Sequence, residues 1–463
     1  MTGFLKPTRR SVLLGAGAMT LPRFALAQSS FEVLEPKIGM AQILPDPYPQ
    51  TEIWGFNGTS PGPQIRVKQG QRVQRRLVNS LAEPAAVHWH GIRNDNAMDG
   101  VPGLTQEAVA PGATFDYDFI APDAGTYWYH THYNTTEQMD RGLYGALIVE
   151  EADALDIDRE EVLIIDDWVM RQSGEIDPEF QTPMNRSHGG RMGNFVTTNS
   201  LFQPVLPAKT NERMRLRLIN ASNARIFPLG LQGLAGWIVA YDGMPVAAPE
   251  RVEDFFLLAP AQRVDLIVDV TAKQGELAAI IWATEQEPQI QVGFDVTGAA
   301  SSTARPAPLA LPANDEAGVI DLGSAMQARL VLAGGAMGSL KEAEFDGEIK
   351  TFRQLAEANQ FWAFNGVVGM TDKPLVDVAQ WETVRMKIEN ESSFPHAMHL
   401  HGQHFRTVLP DGSFGPLRDT LYIGGLENAE IAFVASNPGK WLYHCHMLSH
   451  QDAGMKTWMN VRA

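Results

Sequence analysis

Cysteine is what this chain has least of: one among 463 residues. A single thiol rules out an internal disulfide framework. Basic residues are scarce as well, with 37 Lys and Arg against 54 Asp and Glu and a net charge of −17. That balance repels nucleic acid, so no nucleic-acid partner is expected. No segment stays apolar for the roughly 20 residues that a membrane span needs, so no span is expected either. Long helical periodicity is also missing, whereas 41 Gly and 29 Pro interrupt the chain throughout.

The N-terminus reads as a leader. Lys6, Arg9 and Arg10 precede an apolar, small-residue stretch from Ser11 to Leu21, and Ala25-Leu26-Ala27 forms a small-x-small cleavage signal. Thr8-Arg9-Arg10-Ser11-Val12-Leu13-Leu14 has the twin-arginine form, so residues 1–27 are expected to be a signal peptide of an exported, bacterial, periplasmic protein. Its removal takes the net charge from −17 to −21. In an exported protein a lone thiol is a liability unless it is buried or bound. This one, Cys445, lies between His444 and His446, with His450 and Met455 close behind.

The remaining chain is long enough for about three domains. Short runs such as Gln64–Val67, Arg72–Val78, Gly145–Val149, Met214–Ile219, Val264–Val268 and Val384–Ile388 are bounded by Gly, Pro, Asn and Asp, the pattern of all-β sandwiches. A short helix is expected within Thr351–Asn359. There is an internal repeat. Trp54-Gly55-Phe56-Asn57-Gly58 returns as Trp362-Ala363-Phe364-Asn365-Gly366, and His88-Trp89-His90-Gly91 returns as His399-Leu400-His401-Gly402. The segment ending His130-Thr131-His132 matches the one ending His444-Cys445-His446. A middle unit keeps the plan without paired histidines: Arg215–Asn220 parallels Arg76–Asn79 and Arg385–Asn390. The expected domains are 28–150, 151–300 and 301–463, with Gly298–Pro312 as a linker.

Side chains at i and i+2 of a strand share a face, about 7 Å apart. Each HxH therefore presents two imidazoles together. One such pair suits a structural histidine or a zinc site. Four pairs in duplicated positions point to a multinuclear metal cluster shared by the first and last domains. Alternation turns Cys445 away from His444 and His446, toward a separate metal with His396, His450 and Met455 as partners. Two imidazoles, a thiolate and a thioether are the ligand set of a blue-copper electron-transfer centre. Zinc accepts His and Cys but cannot change oxidation state. The pattern describes a relay of single electrons into a cluster, with dioxygen as the expected acceptor.

These motifs closely resemble those of the multicopper oxidase family, over essentially the whole chain after the leader. The resemblance implies three consecutive cupredoxin-like Greek-key β-sandwich domains and four copper ions. Type 1 copper would be held by His396, Cys445, His450 and axial Met455, and type 2 by His88 and His399. One type 3 ion would take His132, His401 and His444, and the other His90, His130 and His446. Asp99 matches the acid that family members place near the cluster for proton supply; otherwise it is an ordinary turn residue before Gly100. Many bacterial relatives have Glu where this chain has Gln451, which cannot carry a proton as a carboxylate does. Asp452 is adjacent, but strand alternation would turn it elsewhere. His404, by the same parity if the strand continues, is expected to face away from His401 and to serve the structure or support the ligands from outside.

The expected reaction is laccase-like: one-electron oxidation of phenols or aromatic amines coupled to four-electron reduction of dioxygen to water. Methionine at the axial position implies a lower-potential type 1 copper. A metallo-oxidase for Cu(I) or Fe(II) is the rival enzyme, and Met184, Met192 and His188 form a candidate soft-metal loop. A non-catalytic periplasmic copper-binding protein is the rival from another class. Copper nitrite reductase needs fewer cluster histidines. The expected partners are dioxygen and a small reducing substrate, for a monomer.

Overall fold

The structure, a computed structural model, describes residues 31–284, 286–314, 318–338 and 340–463. The expected leader, residues 1–27, lies outside the described residues. The protein is built from β-sheets arranged as three cupredoxin-like sandwich domains in chain order.

In the first, a four-stranded sheet runs in the order Ile65–Lys68, β3, β2, β1, where β1 is Val87–His90, β2 is Gly125–Thr131 and β3 is Tyr144–Glu150. It packs on a three-stranded sheet centred on Arg72–Val78. A short helix, α1 (Thr135–Asp140), follows β2. The middle unit faces a six-stranded sheet with a five-stranded one. Helix α2 (Pro183–Ser187) lies between the strands Arg159–Trp168 and Phe195–Thr198 in the chain, and β4 (Arg213–Asn220) pairs with β5 (Arg263–Val270) at the centre of the six-stranded sheet. The last unit again has six and five strands. Its five-stranded sheet contains β6 (His396–Leu400), β7 (Gly439–Cys445) and β8 (Lys456–Arg462), and α3 (Leu448–Asp452) sits between β7 and β8. Each sandwich closes over its own apolar cluster.

The threefold sequence repeat has one structural cause. In each unit the repeated strand lies between a parallel and an antiparallel neighbour: Arg72–Val78, β4 and Thr383–Asn390. Each repeat then places an asparagine (Asn79, Asn220, Asn390) that is buried and makes the same three bonds. Its amide donates to two backbone carbonyls at 2.8 Å, and its carbonyl accepts from the N–H two residues on. A buried amide must be satisfied in this way, and doing so fixes the loop leaving the strand.

The stretch around Gly298–Pro312 has no strand after Ala299 and runs along the middle unit. Arg305 there meets Asp156 and Asp158, and Leu311 is buried against Val239, Ala240 and Ile267. The helix expected near Thr351 is Phe352–Glu357, opened by a Thr351–Gln354 capping box.

Candidate metal centre

The four HxH pairs converge where the first and last units meet. Of the four pairs, only His88/His90 has both members within a strand. His132, His401 and His446 each sit just past the ends of β2, β6 and β7. Ring centroids within the pairs are 4.8–6.0 Å apart, the in-strand pair His88/His90 included at 5.6 Å. Across pairs, His401 Nε2 is 3.1 Å from His444 Nε2, His446 Nε2 is 3.4 Å from His130 Nε2, and His399 Nε2 is 3.5 Å from His88 Nε2. His132 joins His401 and His444 within metal-binding reach, and the His90 ring lies 5.1 Å from that of His446.

Cys445 points to the other side of β7. Its Sγ is 3.7 Å from His396 Nδ1 and 3.8 Å from His450 Nδ1, and those two nitrogens are 3.2 Å apart. Met455 is fully buried in the same apolar cluster, and its carbonyl accepts from the Cys445 N–H at 3.1 Å. His450 reaches this point because α3 turns the chain back after β7. The parity argument for Asp452 therefore fails: the residue is helical, not extended. Its carboxylate accepts from Thr135, Thr136 and Gln181, and it lines a 490 Å³ pocket together with Gln451 and His132. The strand does not continue as far as His404, so parity does not apply there. β6 stops at Leu400, Gly402 turns at φ +63°, and His404 Nε2 ends 3.8 Å from Asp419 Oδ2.

Sequence profiles described as "Multicopper oxidase" match residues 37–154, 160–292 and 347–463. The chain is 30% identical to Multicopper oxidase MmcO of Mycobacterium tuberculosis, over 87% of this chain and 82% of that one. The chain belongs to the multicopper oxidase family. A multi-copper oxidase from Pseudomonas Thermotolerans superposes with a TM-score of 0.80 at 28% identity, over 93% of this chain and 98% of that one. Lac15 from a marine microbial metagenome gives 0.76 at 39% identity, over 93% and 99%. This multicopper oxidase is thus a copper-dependent oxidoreductase that uses dioxygen, which sets aside the non-catalytic reading.

Copper fits the side chains present, and the outer hydrogen bonds show why. His401 Nδ1 donates to Asp99 and His444 Nδ1 to the Cys445 carbonyl. His88 Nδ1 donates to the Asp99 carbonyl and His399 Nδ1 to the Asp419 carbonyl. In the small centre His396 Nε2 donates to Ser392 Oγ and His450 Nε2 to the His188 carbonyl. Each neutral ring carries one N–H, so the inward nitrogens face each other as bare lone pairs. Such contacts are repulsive unless a cation lies among them. His90 Nδ1, His132 Nε2 and His446 Nδ1 are buried with no hydrogen-bond partner among the described residues. Burial holds the His90, His130, His132, His401, His444 and His446 rings well below the usual imidazole range, so they are neutral and ready to ligate. Burial also pushes the Cys445 thiol up to about 12, so a thiolate there calls for a bound cation.

Several participants carry no sequence signature. Asp419 faces the His90 and His399 rings from 20 residues after His399. The His188 carbonyl and Ser392 hold the outer nitrogens of the small centre, and their side-chain types suggest neither role. Asp99 is 1% exposed, with its carboxylate 3.0 Å from His401 Nδ1 and 3.2 Å from His88 Nδ1.

Proposed function

We propose that this enzyme takes single electrons from phenols and aromatic amines, as laccases do, and delivers four of them to dioxygen. The reading assigns type 1 copper to His396, Cys445, His450 and Met455, and type 2 to His88 and His399. It assigns the type 3 pair to His132, His401 and His444 and to His90, His130 and His446. Copper held there supplies one-electron uptake at the first centre and dioxygen reduction to water at the second. The observation that carries the copper assignment is the set of inward lone-pair contacts at both centres, and relatives named laccases support the phenol substrate class.

The protein's own part is positional and protonic. Cys445 is bonded directly to His444 and His446, so the two centres share one run of backbone. Asp99 holds the outer nitrogen of His401 and is the acid placed to hold a proton beside the cluster. Gln451 and Asp452 border the pocket that reaches His132, and only Asp452 is a carboxylate. The proposed domains are 28–150, 151–300 and 301–463, preceded by an export signal at 1–27, with the mature protein a periplasmic monomer. Among the described residues no helix is long and apolar enough to cross a membrane.

A second reading, oxidation of Cu(I) or Fe(II), is favoured by one feature. Helix α2 presses the His188 carbonyl onto His450, and Met184 and Met192 on the same segment are exposed. A copper count with oxygen uptake over a panel of phenols, Cu(I) and Fe(II) separates the readings. Four ions per chain and oxygen uptake driven by phenols support the first. Oxygen uptake with Cu(I) or Fe(II) alone selects the second, and copper binding without any uptake removes both.

A further inference from the structure

We propose that Gly91, Arg263 and Asp419, one from each unit, form a positioning device for the histidine cluster. In it the ligand-free middle unit orients His90. The proposal rests on the cluster assignment above.

Asp419 sits at the head of Thr420–Ile423, the strand beside β6. Its Oδ1 is 3.1 Å from His90 Nε2, and its backbone carbonyl accepts from His399 Nδ1 at 3.0 Å. An ionised carboxylate takes the His90 proton on Nε2, which leaves Nδ1 as the lone pair. Nδ1 is the buried nitrogen that has no partner. So His90 turns its δ nitrogen toward the cluster, whereas His88, His130, His399, His401 and His444 turn their outer Nδ1 to protein acceptors.

Arg263 makes that carboxylate usable. Its Nη1 and Nη2 donate to Asp419 Oδ1 and Oδ2 at 2.9 and 2.6 Å. Its other donors go to the carbonyls of Thr126, Ala261 and Asp242. The guanidinium is fully buried, so every donor needs such a partner. Thr420 Oγ1 also donates to Asp419 Oδ1, at 2.7 Å. With the Arg263, Thr420 and His90 bonds made, Asp419 Oδ1 has no lone pair left for a metal, although Asp419 lies within ligating distance of His90 and His399. That oxygen therefore orients His90 rather than ligating, and Oδ2 is turned to Arg263 Nη2.

Gly91 is required by the same contact. A Cβ there would lie 2.2 Å from Arg263 Nη2 and 2.6 Å from Asp419 Oδ2, and the residue turns at φ +86°. The glycine after His90 thus admits an arginine from the middle unit. Gly402, its counterpart in the repeat, instead makes room for the Trp441 ring at 2.3 Å.

The test uses the as-isolated, copper-loaded enzyme and the variants Asp419→Asn, Arg263→Met and Arg263→Lys. The readouts are copper per chain, the near-ultraviolet absorption of the type 3 pair, the type 2 paramagnetic signal and copper retention against a chelator. Asp419→Asn and Arg263→Met are expected to hold cluster copper about 10- to 100-fold more weakly. The blue type 1 absorption should be unchanged in both. Arg263→Lys keeps the charge but not the fork, so it should restore part of the retention. Wild-type copper content, spectra and chelator resistance in Asp419→Asn and Arg263→Met overturn the proposal. If those variants do not fold, Thr420→Val removes the hydroxyl that donates to Asp419 Oδ1 and lies 3.3 Å from His90 Nε2 and 3.2 Å from His399 Nδ1. Altered type 2 and type 3 spectra support the device, and unchanged spectra overturn it. A wild-type enzyme lacking cluster copper overturns the cluster assignment itself, and this device with it.

Discussion

Cys445 is the residue on which both centres turn, because its two peptide neighbours face the opposite way. Replacing it with serine removes the sulfur and leaves the strand intact. Cys445→Ser is expected to lose the blue absorption and substrate oxidation while cluster copper remains, as read by visible absorption and a copper count. Retained colour would remove Cys445 from the type 1 assignment. Asp99 makes a different prediction. Asp99→Asn keeps the shape and can still accept from His401 Nδ1, but it holds no acidic proton. Reduction of the type 1 centre under nitrogen should stay at the wild-type rate, while oxygen turnover slows by about 10²-fold. Unchanged oxygen turnover would make Asp99 a purely structural turn residue. The motif residues were legible because ligation demands particular side chains. Ser392 and the His188 carbonyl were not, since any backbone carbonyl or hydroxyl in the right place serves.

At the level of strands and loops, the repeated asparagine is the part that recurs three times. Asn220 closes the loop after β4, and that loop carries Asn223, whose carbonyl accepts from Leu448 N–H at 3.0 Å. It thereby steadies α3, which bears His450. Asn220→Ala takes the amide donor from the Arg225 and Leu258 carbonyls and the acceptor from the Ser222 N–H and hydroxyl, while Ser222 Oγ still donates to the Arg225 carbonyl, at a cost of about 3 kcal/mol. The expected outcome is a lower denaturant midpoint with an unchanged slope, together with weaker blue absorption. A midpoint at the wild-type value would show that the loop holds without its staple. The strands were readable from alternation and turn residues. Their ends were not, and the ends decide the site. The helical turn at α3 places His450 and Asp452, and the break after Leu400 places His404, because local pattern does not say where tertiary packing stops a strand.

For the molecule as a whole, the joints between units carry buried charge. Asp140 at the end of α1 meets Arg191 of the middle unit at 2.6 Å, with Asp167 nearby. Burial outweighs the arginine and raises the Asp140 carboxyl to about 6. A carboxyl raised on folding binds its proton more tightly in the native state, so its contribution is present below about pH 4 and lost as pH rises through about 6. The stability advantage of wild type over Asp140→Asn should therefore shrink between pH 4 and 7, measured by denaturant unfolding across that range. An advantage that grows with pH would reverse the assignment. Gly91, Arg263 and Asp419 show the same dependence on joints. Their positions are 91, 263 and 419, and nothing local relates them.

What the sequence alone determined is the chemistry: all-β units in a repeated plan, four HxH pairs, and a lone cysteine set against them by strand parity. These are readable because alternation and ligand type are local properties of a chain. Tertiary structure alone decided which nitrogen of each ring faces inward, what holds the outer nitrogen, and that an arginine of the ligand-free unit reaches the cluster. Those facts depend on which buried acceptor lies next to which ring, and only the packing of all three units together brings them into contact.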